Sequence, residues 1–413
     1  MQTNSRAHVG EEGSWCAVSE SESHGQVVRG CIVGTDYLSE IVTHSGVISE
    51  IRRVPGETSS SDCWISPGFI DIQVNGWRGK NFNRESVMPE DVLEVVRMLW
   101  EYGVTTFLPT VTTESRESLS KSMAALRQAA EESAEVDHAC PLIHLEGPYI
   151  SPQDGPRGAH TLEHVRPPTI EEFGFLQECA GGRIGLVTLA PEQEGAIPFM
   201  EELAGKGIVM AIGHSDASPE DIAAAVNAGA KLSTHLGNGS HAKIDRHRNY
   251  MWEQLARDEL SASLITDGHH LPPAVVKCMV RCKGVERSLL ITDAVGLAGL
   301  PAGLYSDWDK PVEVTQDGAA RLHGTPYLAG AIEPLTRNVQ RAVQFAGISL
   351  ADAINMVTIN PARLMGMADR IGSVEVGKDA DLVLFDWDNE KYELTVTQTM
   401  SQGQWVFPNG DSQ

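Results

Sequence analysis

From Pro67 onward one unit recurs along the chain: a short apolar run, a turn, then an amphipathic helical stretch or a long loop. The runs are "GFIDIQVN", "TTFLPTV", "PLIHLEGP", "RIGLVTLAPE", "IVMAIGHS", "KLSTHLGN", "SASLITDGHH" and "RSLLITDAVG". Strands that alternate with helices pair in parallel, because each helix carries the chain back across the sheet. Such units repeated over about 300 residues predict a (β/α)₈ barrel. A doubly wound open sheet is the rival. Its mononucleotide-binding members carry GxGxxG or GxxxxGK[ST] at a strand-to-helix turn, and neither occurs here.

Both chain ends read differently. "QVVRGCIVGTDYLSEIVTHSGVISEIRRV" and "GSVEVGKDADLVLFDWD" through "QGQWVF" are strand-rich and joined by turns. The expected organisation is therefore α/β: a TIM-like barrel over residues 67–368, beside a small β-sandwich built from residues 1–66 and 369–413.

The formal charge is −24, so the surface repels a phosphate backbone and nucleic-acid binding is not expected. No apolar run reaches the roughly 18 residues of a membrane helix. The start "MQTNSRAHVGEEGSWC" lacks the apolar segment of a signal peptide, so a cytoplasmic protein is expected. The seven cysteines are odd in number and contain no CxxC pair. Reduced thiols are expected rather than a disulfide framework.

In such barrels the chemistry sits at the C-terminal ends of the strands. Those ends carry Gln73 and Asn75, then His144 and Glu146, then His214, His235, the group Asp267, His269 and His270, and finally Asp293. The second and fourth ends carry Thr110 and Glu192, with no evident ligand. Any one of them is ordinary: an Asp after a strand usually caps a helix, and a lone His is usually a satisfied polar group. Their convergence on one basin is not ordinary. Two imidazoles and a carboxylate from three strands match the His₂Glu set of a catalytic metal, which leaves a position open for water. A carboxylate on the last strand can take a proton from that water.

These motifs resemble the amidohydrolase superfamily, and within it the N-acetylglucosamine-6-phosphate deacetylases. The resemblance rests on "WISPGFIDIQVNG", "HLEGPYISP" with "GAH", "GHSDAS", "THLGNGSH", "ITDGHH", "LITDAVG", "YLAGA" and "GKDADLVLFD" in order. It implies metal ligands Glu146, His214 and His235, and Asp293 as general base and then acid. It implies Ala159 and His160 as substrate contacts, with His160 polarising the acetyl carbonyl. Asn238, Gly239 and His270 would contact the sugar phosphate, and Leu328, Ala329 and Gly330 would line the far wall. Arg246, with Arg248 as its near alternative, would reach the phosphate of a neighbouring subunit in a homodimer. One divalent metal ion per subunit is implied: zinc suits the ligands, with iron, cobalt or manganese as alternatives. The galacto epimer of the substrate is the enzymatic rival; a non-catalytic scaffold is the remote one.

Relatives with two metals carry His-x-His on the first strand. Here Gln73 and Asn75 stand at those points, so Gln73 would at most steady a water or a weak second ion. Asp71 is expected to make a structural hydrogen bond deeper in the barrel. One departure stands out. Where the family reads HL-aromatic-N-A-M, this chain has His235-Leu236-Gly237-Asn238-Gly239-Ser240.

Overall fold

The computed structural model describes residues 17–20, 25–58, 63–83, 87–306, 311–325 and 328–408. Eight parallel strands form one sheet. We label them β1 (Phe69–Val74), β2 (Val104–Thr112), β3 (Ile143–Glu146), β4 (Ile184–Leu189), β5 (Val209–Ile212), β6 (Ala230–Ser233), β7 (Ser261–Leu264) and β8 (Ser288–Leu290). The sheet runs β1 to β8 in chain order. Val74 bridges Ala294 in parallel, and the amides of Asn75 and Gly76 donate to the Ala294 carbonyl. The last strand's exit thus meets the first strand, and the sheet closes as the expected barrel.

Closure divides the apolar residues into two sets. Ile70, Ile72, Leu108, Leu186, Ala211, Leu232, Ile265 and Leu289 come from strands all around the ring and pack together as the barrel interior. Ala362 and Met365, from the helix Ile359–Leu364 and its cap, belong to the same cluster and plug it. The other faces of the strands, with Phe107, Leu145, Val187 and Ile212, pack against the surrounding helices.

The chain ends supply a second, mixed sheet of eight strands, in which Leu382–Asp388 pairs with Trp64–Pro67. Trp64–Pro67 immediately precedes β1, so this sheet is tied to the barrel's entry. Asp381 ties it again: its carboxylate accepts from the Gln402 amide at 2.8 Å and from His138 Nε2 at 2.7 Å, and its carbonyl accepts from the Gly68 amide. His138 belongs to the barrel-side helix Ala134–Ala139.

Two features depart from the reading of the sequence. Cys63 is disulfide-bonded, whereas Cys140, Cys179, Cys278 and Cys282 are free, as reduced thiols would be. A three-stranded antiparallel insert (Gly303–Tyr305, Val312–Val314, Ala320–Leu322) follows β8. Strands of three residues are too short for a period-two pattern to show.

Candidate active site

β1 begins as the alternation predicts, with Ile70 and Ile72 facing the barrel interior. The register then shifts. Asp71 pairs with Phe107 but Val74 pairs with Pro109, so one extra residue of β1 is accommodated between them. A bulge of this kind re-aims the side chains that follow it. Here Asp71 stays low in the wall. Its carboxylate accepts from the Thr292 hydroxyl at 2.6 Å and from the Gln73 amide at 3.2 Å, and burial pushes its pKa up to about 7. Gln73 turns into the basin instead.

The basin is built from strand exits. Glu146 Oε1 lies 3.2 Å from His214 Nε2 and 2.9 Å from His235 Nε2, and the two imidazole nitrogens are 3.0 Å apart. The Nε2 amide of Gln73 donates to Glu146 at 2.9 Å and to Asp293 at 3.1 Å, and Asn75 donates to the same Asp293 oxygen at 2.8 Å. Burial acts to raise the Glu146 pKa, but the hydrogen bonds from His214 and His235 outweigh it and hold the carboxyl well below its usual range. Burial, and then the charge of Glu146, push Asp293 up to about 6. The two carboxylates therefore differ in character although a single amide joins them.

Backbone conformation marks the same residues. Among the described residues, seven non-glycine residues have positive φ, and His214 (φ 50°), His235 (φ 31°) and Asp293 (φ 55°) are three of them. A non-glycine residue in that region costs on the order of 1–3 kcal/mol and persists only where its surroundings hold it. Three strand exits strained at one basin indicate that the turns are shaped to aim these side chains.

The donor set suits a divalent cation. His214 Nδ1 donates to the Pro156 carbonyl at 2.8 Å, which fixes the ring with Nε2 turned to Glu146 and His235. A carboxylate oxygen and two imidazole nitrogens crowded within about 3 Å repel unless a proton or a cation lies among them. The residues thus fit a metal site with two nitrogens and one oxygen. A second metal-capable group, His138, Asp379 and Asp381, lies at the junction of the two sheets. There Arg370 stands 3.3 Å from Asp379 and already supplies a cation.

The remaining expected residues fall around this centre. His160 Nε2 faces His214 Nε2 at 3.2 Å, and its Nδ1 pairs with the Thr113 hydroxyl at 2.8 Å. Burial drives its pKa down to about 3, so the ring is neutral. Ala159 is exposed beside it. His270 Nδ1 is 2.7 Å from Asp267 Oδ2, an arrangement that orients the ring and frees Nε2. Asn238 turns back on β6, its backbone and side-chain amides both donating to the His235 carbonyl. Leu328, Ala329 and Gly330 follow the antiparallel insert. At Gly330 (φ +97°) a Cβ would lie 2.3 Å from Val295, two residues beyond Asp293.

Two outcomes differ from a simple gathering of motifs. His144, at the end of β3, does not reach the basin. Its Nδ1 donates to the Ile72 carbonyl and its Nε2 pairs with Thr188, beneath the site, and burial lowers its pKa to about 4. Arg246 lies exposed on the loop after β6, with no ion pair of its guanidinium among the described residues. Its neighbour Arg248 is paired with Glu220.

The Gly237–Ser240 departure has a geometric counterpart. Gly237 has φ +98°, and a Cβ there would stand 2.9 Å from Leu271; Gly239 has φ +56°, and its Cβ would stand 2.7 Å from His214 Nδ1. This loop therefore lies against the His214 ring itself, along a backbone path that glycine takes without strain.

Comparison with known proteins identifies the family. The model of the amidohydrolase family matches residues 64–406. An N-acetylglucosamine-6-phosphate deacetylase of Bacillus subtilis is 35% identical over 349 residues, covering 84% of this chain and 85% of its own. An N-acetylgalactosamine-6-phosphate deacetylase of Escherichia coli is 32% identical, covering 87% and 92%. The structure of an N-acetyl-D-glucosamine-6-phosphate deacetylase variant from Mycobacterium smegmatis, in complex with N-acetyl-D-glucosamine-6-phosphate, superposes with a TM-score of 0.80 at 27% identity, covering 91% of this chain and 97% of its own. The chain belongs to the amidohydrolase family.

Proposed function

We propose that this protein hydrolyses the acetamide of N-acetyl-D-glucosamine 6-phosphate, giving D-glucosamine 6-phosphate and acetate. The observation that carries the reading is the convergence of Glu146, His214 and His235 opposite an Asp293 of raised pKa. The deacetylase relatives, matched along most of both chains, supply the substrate class.

Glu146, His214 and His235 hold one divalent ion per subunit, and zinc suits two imidazoles and a carboxylate, with Fe²⁺, Co²⁺ and Mn²⁺ as competitors. When bound, that ion supplies Lewis-acid polarisation of a carbonyl and acidification of water. Asp293 accepts a proton as water adds to the acetyl carbon. It returns the proton to the sugar nitrogen as the carbon–nitrogen bond breaks, so the products are acetate and the free amine. Gln73 and Asn75 keep the Asp293 carboxylate aimed throughout. Gln73 acts as a donor to both carboxylates and not as a second ligand set. His160, neutral and anchored by Thr113, donates to the acetyl oxygen.

His270, Asn238 and Gly239 receive the sugar phosphate, with Ala159 and Leu328 to Gly330 as the walls. Arg246 serves the phosphate of the neighbouring subunit in a homodimer, since a planar guanidinium matches phosphate geometry. A phosphosugar does not cross a bilayer unaided, so we assign the enzyme to the cytoplasm; among the described residues no helix is long and apolar enough to cross a membrane.

Acetate release from N-acetylglucosamine 6-phosphate, its galacto epimer and the unphosphorylated sugar tests the reading. We expect the gluco 6-phosphate to have the highest kcat/KM. Preference for the galacto epimer would select the galactosamine activity. Indifference to the 6-phosphate would remove the role given to Arg246.

A further inference from the structure

Glu192 lies just beyond β4, where the barrel presents no ligand of its own. Its carboxylate nonetheless has two close partners on the next strand's exit. The Ser215 hydroxyl donates to Oε2 at 2.7 Å, and the Asp216 amide donates to Oε1 at 2.6 Å. Ser215 and Asp216 directly follow His214, whose own backbone is left-handed at φ 50°. Within the turn the Ala217 amide donates to the Ser215 hydroxyl at 3.0 Å, and different loops add the Ser151 amide, which donates to the His214 carbonyl, and the Pro156 carbonyl, which accepts from the His214 ring. Before the histidine, Gly213 offers no slack, because a Cβ there would stand 2.6 Å from Thr188 Cγ2.

We infer that Glu192 is a positioning residue for His214. Both carboxylate oxygens are used, so the group fixes the direction in which the chain leaves the histidine as well as its place. A chain held on both sides of a left-handed residue cannot relax that residue, and Nε2 stays aimed at Glu146 and His235. A partly buried carboxylate that accepts a hydroxyl and a backbone amide at such distances is a specific arrangement. Outer partners of this kind characteristically tune the metal affinity of the ligand they hold.

The inference rests on the metal-holding reading above, so zinc binding by the native protein is measured first, by competition with a chromophoric chelator. No zinc binding by the native protein would overturn the metal reading itself. Given native binding, Glu192→Gln is compared. A carboxamide keeps one acceptor but turns an NH₂ group towards the second donor, with little change of volume. We expect the zinc dissociation constant to rise by about 10- to 100-fold, while the metal-free protein keeps the melting temperature of native metal-free protein. Ser215→Ala removes one of the two bonds and is expected to show a smaller rise in the same direction; it also serves if Glu192→Gln does not fold. Zinc affinity unchanged in the variant that folds would overturn the inference. So would a fall in the metal-free melting temperature with affinity retained, since that is the signature of a purely structural carboxylate.

Discussion

At the scale of single residues, the two basin carboxylates do different work although one Gln73 amide touches both. Glu146 is held as an anion by the hydrogen bonds of two imidazoles, which outweigh its burial, whereas burial leaves Asp293 close to the point of titration. A carboxylate in the second state can take and return a proton near neutral pH. Asp293→Asn is therefore expected to retain zinc at the native stoichiometry and to lose about 10³-fold in kcat, within the usual range for general acid–base catalysis. Metal analysis and acetate release on the same sample check both halves. Full activity, or loss of the metal, would contradict the division of labour. These residues were legible in the sequence because each stands where an apolar run stops. Glu192 stands in such a place too. Its role was hidden because its partners are a serine hydroxyl and a backbone amide, which any turn supplies. His144 shows the opposite limit: a histidine at a strand end, two residues from a metal-ligand candidate, serves the barrel interior.

At the scale of elements, strand and helix alternation was readable because each element is long enough to show its period, but the bulge in β1 was not. A pure alternation puts Asp71, Gln73 and Asn75 on one face, whereas the extra residue separates Asp71 from the other two. Contacts between elements distant in sequence were equally invisible. Asp381, 4% exposed, joins the barrel helix of His138, the Gln402 turn and the entry to β1. Asp381→Ala leaves the buried His138 imidazole and the Gln402 backbone amide without their acceptor, and should cost about 2–4 kcal/mol in urea unfolding. A cost below about 0.5 kcal/mol would show that the junction is held by apolar packing alone.

Lys283 plays a similar part at the entry to β7, where its ammonium donates to the carbonyls of Gln254, Arg257 and Leu260. Burial lowers its pKa to about 8, against about 10.4 in an unfolded chain. Between those values the unfolded chain binds more protons than the folded one, so this group makes stability rise with pH across the window. Lys283→Met lacks that titration. The stability advantage of the native protein over this variant should widen from pH 8 to pH 10, by at most about 1.4 kcal/mol per pH unit. Urea midpoints at the two pH values check this, and a constant or narrowing difference would rule it out.

At the scale of the whole molecule, a chain carrying a charge of −24 must still gather cations where an anionic substrate binds. Within the subunit, Arg248 is already paired with Glu220, while Arg246 points its exposed guanidinium away from any ion-pair partner among the described residues. The exposed side chains of Ile244 and Trp252 flank it, and the Trp252 indole donates to the Arg246 carbonyl. An arginine presented beside exposed apolar groups suits a role in trans, and two-fold symmetry would then give each site the other subunit's arginine. Mixing inactive variants separates that arrangement from one in cis. Arg246→Ala keeps Asp293 but lacks the arginine; Asp293→Asn keeps the arginine but lacks the base. In a heterodimer with arginines exchanged, one site has both groups and the other has neither. Random pairing of equal amounts, after unfolding and refolding together, yields half heterodimers with one working site each. The mixture should then regain about one quarter of native activity, at substrate concentrations well below the KM of Arg246→Ala. If each arginine serves its own subunit, no site in any dimer holds both groups, and the mixture stays at the average of the two variants.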